Sequence, residues 1–174
     1  EKQTYEQKFT SNFVATGQED RGEKATGTVT LSMTFIPAAG ASTKIGLTSG
    51  TKLTATSADG KAVTYTLDED YSTSFDGTDA GVAEIQKAGW SCTSSLTSGM
   101  TCRKTVNSAK VTATNAGESY NIGAGRTWNS VSDDDETIMI SNPGAFTGGT
   151  TREVTVVAQS DVDKAREEIL SAHE

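Results

Sequence analysis

The stretch Thr28-Val29-Thr30-Leu31-Ser32-Met33-Thr34-Phe35 decides the fold class. Its apolar residues alternate with hydroxylated ones, and a period of two sends Val29, Leu31, Met33 and Phe35 to one face of a strand. Pro37 and Gly40 end the run. The same alternation returns after the turn signal Asp59-Gly60, where Val63, Tyr65 and Leu67 are set against Ala62, Thr64 and Thr66. Further strands are predicted near Val106 and over residues 110–114, 137–140 and 153–158. An N-terminal strand over residues 5–15 would place Tyr5, Phe9, Phe13 and Ala15 on one face. Residues 17–24 read as a polar connector, and the signal around Ile45, Leu47 and Leu53 is weak.

Two helices interrupt this pattern. Thr78 is placed to cap a short helix in which Val82, Ile85 and Ala88 share a side, and Gly89 ends it. Near the C-terminus Ser160 reads as an N-cap, with Asp161 and Asp163 in the first turn. Val162, Ala165, Ile169 and Ala172 then line one face. The expected fold is mainly β, with antiparallel sheets in a sandwich-like arrangement, a short helical insertion and a C-terminal helix. The alternative class is α+β.

Composition supports half-exposed strands joined by turns. Of 174 residues, 28 are Thr and 18 Ser, against 34% hydrophobic residues, 17 Gly and 2 Pro. The charge is 15 basic against 23 acidic residues, a net of −8, and Lys and Arg are scattered singly. That pattern argues against a nucleic-acid partner. No apolar run approaches the ~18 residues of a membrane span. The chain opens at Glu1 with neither an initiator Met nor a signal peptide, so a processed protein or a piece of a longer one is expected.

Cys92 and Cys102 flank nine residues of turn-forming composition, and a hairpin there would bring them within disulfide reach. Such a bridge fits an oxidising compartment, whereas two free thiols in a reducing cytosol are the alternative. A single domain over residues 1–174 is expected, with 68–103 a disulfide-stapled insertion and 160–174 the terminal helix. Zinc would need four ligands, and the one histidine is His173. The acidic stretches Asp68-Glu69-Asp70, Asp76 with Asp79, and Asp133-Asp134-Asp135-Glu136 raise calcium, but none has the spacing of a calcium loop, and they read as solvated loops. Gly123-Ala124-Gly125 lacks the third glycine and following helix of a dinucleotide site, and no Gly-x-Ser-x-Gly is present. No catalytic, cofactor-binding or metal-binding residues are therefore expected.

Three stretches together resemble a known family. They are residues 15–30, with Gly22-Glu23-Lys24-Ala25-Thr26-Gly27-Thr28-Val29-Thr30; residues 116–125, Ala-Gly-Glu-Ser-Tyr-Asn-Ile-Gly-Ala-Gly; and residues 142–150, Asn-Pro-Gly-Ala-Phe-Thr-Gly-Gly-Thr, followed by a helix from Asp161. Their order resembles the baseplate J-like proteins, which include wedge components of contractile phage tails and envelope-associated proteins of small-genome bacteria. The strand predicted between the Gly-Gly-Thr segment and the last helix resembles the envelope-associated branch. The resemblance implies a non-enzymatic structural or interaction module of a bacterial cell-surface protein, a fragment of a membrane-anchored parent, with a protein or envelope partner. The alternatives are a wedge subunit of a contractile tail and a carbohydrate-active domain using the acidic loops. Within the insertion, Trp90 and Met100 are the candidate recognition surface, an aromatic anchor on a stapled loop. The alternative for Trp90 is a cap on the core beneath.

Overall fold

The computed structural model describes residues 8, 10–132 and 134–171. In chain order the strands are β1 Gly17–Asp20, β2 Thr26–Phe35, β3 Thr43–Ile45, β4 Lys52–Thr56, β5 Ala62–Leu67 and β6 Thr73–Phe75. They continue with β7 Ser91–Thr93, β8 Thr101–Ala113, β9 Val131–Ser132, β10 Glu136–Ser141 and β11 Glu153–Val156. Helix α1 is Asp79–Lys87 and α2 is Gln159–Ser171, and single 3-10 turns lie at Leu96–Ser98 and Glu118–Tyr120. The fold is mainly β, all its strand pairs are antiparallel, and the chain groups into two compact units, residues 22–151 and residues 1–21 with 152–174.

The larger unit is built on a seven-stranded sheet in the order β4-β5-β8-β2-β10-β9, with β7 added beside β8. The alternation that defines β2 works as the pattern demands. Val29, Leu31, Met33 and Phe35 are buried, while Thr28, Thr30, Ser32 and Thr34 face outward. Against this inner face lie the β3–β6 ribbon, α1 and the loops around Ile122, Trp128 and Phe146, all contributing to one core. Aromatic edges lock these layers. Phe35 meets Phe75 and Trp90 at 5.3 and 6.3 Å between ring centres, and Tyr65 meets Phe146 at 4.8 Å.

Strand β8 is long because it serves two neighbours along one edge, β7 beside its first residues and β5 beside its last, while β2 runs along the other. The sequence breaks it into pieces because a bulge changes its inward parity. Val29 faces Ala109 and Leu31 faces Val106, so Asn107 and Ser108 occupy the space of one residue. Before the bulge Cys102 and Val106 point inward, and after it Ala109, Val111 and Ala113 do.

Helix α1 forms where Thr78 predicts it. The Thr78 hydroxyl accepts from the Gly81 amide at 3.0 Å and donates to Asp76 at 2.7 Å, while Val82 and Ile85 are buried and Ala88 is exposed at the C-cap. The excursion from residue 68 is therefore β6, α1 and β7. Its final residues, Thr101, Cys102 and Arg103, belong to the central strand β8.

The smaller unit pairs β1 with β11, Gly17 opposite Val156, and adds α2. Three sequence expectations change here. Residues 10–15 form no strand, Phe13 is 44% exposed, and Tyr5 and Phe9 lie outside the described residues. The N-terminal strand is instead β1, in the segment that reads as a connector, because backbone pairing with β11 needs no apolar alternation. Ser160 does not cap α2 but sits in its first turn. The cap residue is Ala158, whose amide donates to Asp161 at 2.9 Å, the return half of a capping box. Of the apolar stripe, Ala165 is buried, Ile169 half-buried and Val162 44% exposed, and Ala172 lies outside the described residues.

Candidate functional site

The stretches 22–30, 116–125 and 142–150 meet in space at one place. Pairing begins at the backbone. Thr26 and Thr147 exchange amide bonds of 2.9 and 3.2 Å, the Phe146 amide donates to Ile122 O at 2.8 Å, and the Thr150 and Gly117 amides both donate to Glu23 O. Phe146, 1% exposed, lays its ring against Gly27 on the inward side of β2. A Cβ at Gly27 would stand inside that ring, so only glycine permits the contact.

Two asparagines fasten the loops. Asn142 is 1% exposed and uses its whole amide. Oδ1 accepts from the Arg126 amide at 2.9 Å and from Trp128 Nε1 at 3.0 Å, and Nδ2 donates to Gly123 O at 2.8 Å and Gly144 O at 3.0 Å. Asn121 pairs with Gly149 as one strand pairs with another, donating to its carbonyl and accepting from its amide, both at 2.8 Å. A side chain at Gly149 would collide with the Gly117 carbonyl. Beneath them the Tyr65 hydroxyl, pushed up to about 12 by burial, donates to Tyr120 O at 2.7 Å. The carbonyl of Gly123, read in sequence as part of an incomplete dinucleotide loop, is occupied by Asn142. The bonding of the two asparagine amides is reciprocal and fixes the loop geometry, while beside it Arg126 Nε is buried with no hydrogen-bond partner among the described residues.

The cysteine pair is bridged. Cys92 in β7 and Cys102 in β8 are directly opposite, with Cα atoms 4.0 Å apart, and Cys102 is fully buried. A disulfide indicates an oxidising, non-cytoplasmic setting. Trp90 and Met100 flank it but turn inward, at 3% and 5% exposure, because both belong to the common core, Trp90 with its ring edge against Phe35. Trp90 caps the core, and the outer surface of the excursion is made by other residues.

The acidic stretches are held by neighbouring donors. Asp70 accepts from the Ser72 hydroxyl and amide, and Asp76 from those of Thr78, which hold both carboxyls below the ordinary carboxylate value. Asp68 accepts from Thr112 Oγ1 at 2.9 Å, and Glu136 accepts from the Gly46 amide at 2.8 Å. Among the described residues no three His, Cys, Asp or Glu side chains are grouped to hold a metal ion. Asp133 and His173 lie outside them. No helix among them is long and apolar enough to cross a membrane.

Sequence reading marks the three stretches but misses their fastenings, Asn142, Asn121 and Gly27. The available signal is an asparagine within or before glycine-rich turns, a residue whose side chain substitutes for backbone pairing. No protein-family model matches the chain, and no curated protein matches it.

Proposed function

We propose that this chain is a non-enzymatic structural and interaction module of a bacterial cell-surface protein, related to the envelope-associated baseplate J-like proteins. One observation carries the reading. Residues 22–30, 116–125 and 142–150, the main parts of the three stretches on which the resemblance rests, are fastened to one another by Asn142, Asn121 and the Gly27–Phe146 contact. Residues matched for a shared architecture belong together in this way. The Cys92–Cys102 bridge supports the exported setting and speaks against a contractile-tail wedge assembled in the reducing cytosol.

The test is surface labelling of intact cells with a membrane-impermeant amine reagent, followed by fractionation. Labelled protein in the envelope fraction, with no alkylatable thiol, is the expected result. Protein recovered unlabelled with contractile sheaths, carrying two free thiols, would overturn it. Product formation from a glycan panel would overturn the non-enzymatic part.

A further inference from the structure

We infer that the smaller unit is a tension-sensitive zipper, which opens pair by pair when the two ends of the chain are pulled apart while the larger unit stays folded. The reason lies in where the chain enters and leaves each pairing. Residues 10–16 run along α2 in the opposite direction. Thr16 donates through its amide and its hydroxyl to Asp161 in the first turn of the helix, at 2.8 and 2.5 Å, and Ser11 donates to Glu168, two turns on, at 3.3 Å. Strand β1 then pairs with β11 from Gly17 opposite Val156 to Asp20 opposite Glu153, and the Arg21 amide donates to Arg152 O at 2.8 Å. Each step inward along the N-terminal segment is met by a step back along the C-terminal one. Tension on the two ends therefore acts across the outermost pair. Ladder bonds lie perpendicular to their strands, so they are loaded one after another rather than together.

The unit has little else to resist that tension. Among its described residues Ala165 is the only apolar side chain that is buried, while Phe13, Val14, Val157, Val162 and Leu170 are exposed. A two-stranded ribbon on one helix, without a shared apolar layer, is marginally stable. The larger unit has a core drawn from residues 25–146, and its strand β2, which takes the load next, is held on both sides, by β8 and by β10. Segments without a core open at a lower free energy than the structure as a whole. Opening frees residues 11–21 and 152–171, roughly 30 residues that straighten to about 100 Å. The chain thus lengthens under load while its seven-stranded sheet stays intact.

The experiment is single-molecule stretching of the full chain between handles joined to its two ends. Two steps are expected, a first of about 100 Å and a second, at higher force, from residues 22–151. Reducing the Cys92–Cys102 bridge should lengthen the second step by about 30 Å and leave the first unchanged, which assigns each step to its unit. Asp161→Ala removes the acceptor of both Thr16 bonds and should lower the first opening force without moving the second. Moving the C-terminal handle to Arg152→Cys loads the same β1–β11 pairs along the strands, all at once, and should raise the force of their separation at least about twofold. A single step that takes both units, a first step that lengthens on reduction, a first force unmoved by Asp161→Ala, or equal forces in the two pulling directions would overturn the inference.

Discussion

Replacing Asn142 by alanine removes the clasp that ties Asn142 to Gly123, Arg126, Trp128 and Gly144 and exposes how much it contributes. Four bonds disappear, and their partners differ in what they can do next. Trp128 Nε1 is in a fully buried bond and would be stranded, a cost of about 1–3 kcal/mol. The Arg126 amide and the carbonyls of Gly123 and Gly144 are part-buried, so water replaces most of what they lose, at roughly 0.5 kcal/mol each. The expected destabilisation is therefore roughly 3–4 kcal/mol, or about 10 °C in thermal midpoint for a chain of this size. Urea unfolding followed by near-ultraviolet circular dichroism is the assay, because Trp128 stands within 6 Å of both the Tyr65 and Phe146 ring centres. Asn142→Asp sharpens the test. It keeps the acceptor for Arg126 and Trp128 but turns a carboxylate oxygen toward two carbonyls, so it should be worse at pH 7 than at pH 4. A loss below about 1 kcal/mol for Asn142→Ala, with an unchanged denaturant slope, would refute the reasoning.

Gly27→Ala should cost about 1–3 kcal/mol by pushing the Phe146 ring off β2, and Gly27→Ala with Phe146→Ala should cost less than the sum of the two single changes in the same unfolding assay. The bridge between Cys92 and Cys102 closes a loop with a sequence separation of 10 and is worth roughly 2.7 kcal/mol in the chain-entropy model. Intact mass should show two hydrogens fewer than the reduced chain, and reduction should speed hydrogen exchange in β7 more than in β2. The Asp161 carboxyl is held below its ordinary value by the Thr16 hydroxyl, then by the Thr16 and Ala158 amides. A depressed carboxylate stabilises at pH above its unfolded value, and that stability is lost as pH falls through the folded value. Exchange protection at Thr16 and in the first turn of α2 should therefore be full at pH 6 and fall below about pH 4. Asp161→Asn should remove most of that dependence.

The strands whose residues face a buried layer on one side and solvent on the other were legible from the sequence, because burial on one face imposes period two on the residues themselves. Val29 to Phe35 and Val63 to Leu67 carry that record, Thr78 carries the cap of α1, and Cys92 and Cys102 carry their short loop. What depends on a distant partner left no local trace. Strand β1 exists because β11 offers it backbone groups, and β8 is continuous because a bulge absorbs a change of parity that the sequence shows only as a broken pattern. Trp90 and Met100 look alike as core or anchor until the core beneath them is known, and the fold turns both inward. The glycines and asparagines of the three matched stretches were visible as residues. Only the tertiary structure made Gly27 a seat for Phe146 and Asn142 a four-point clasp, since a hydrogen bond or a close contact between separate segments is a property of their meeting.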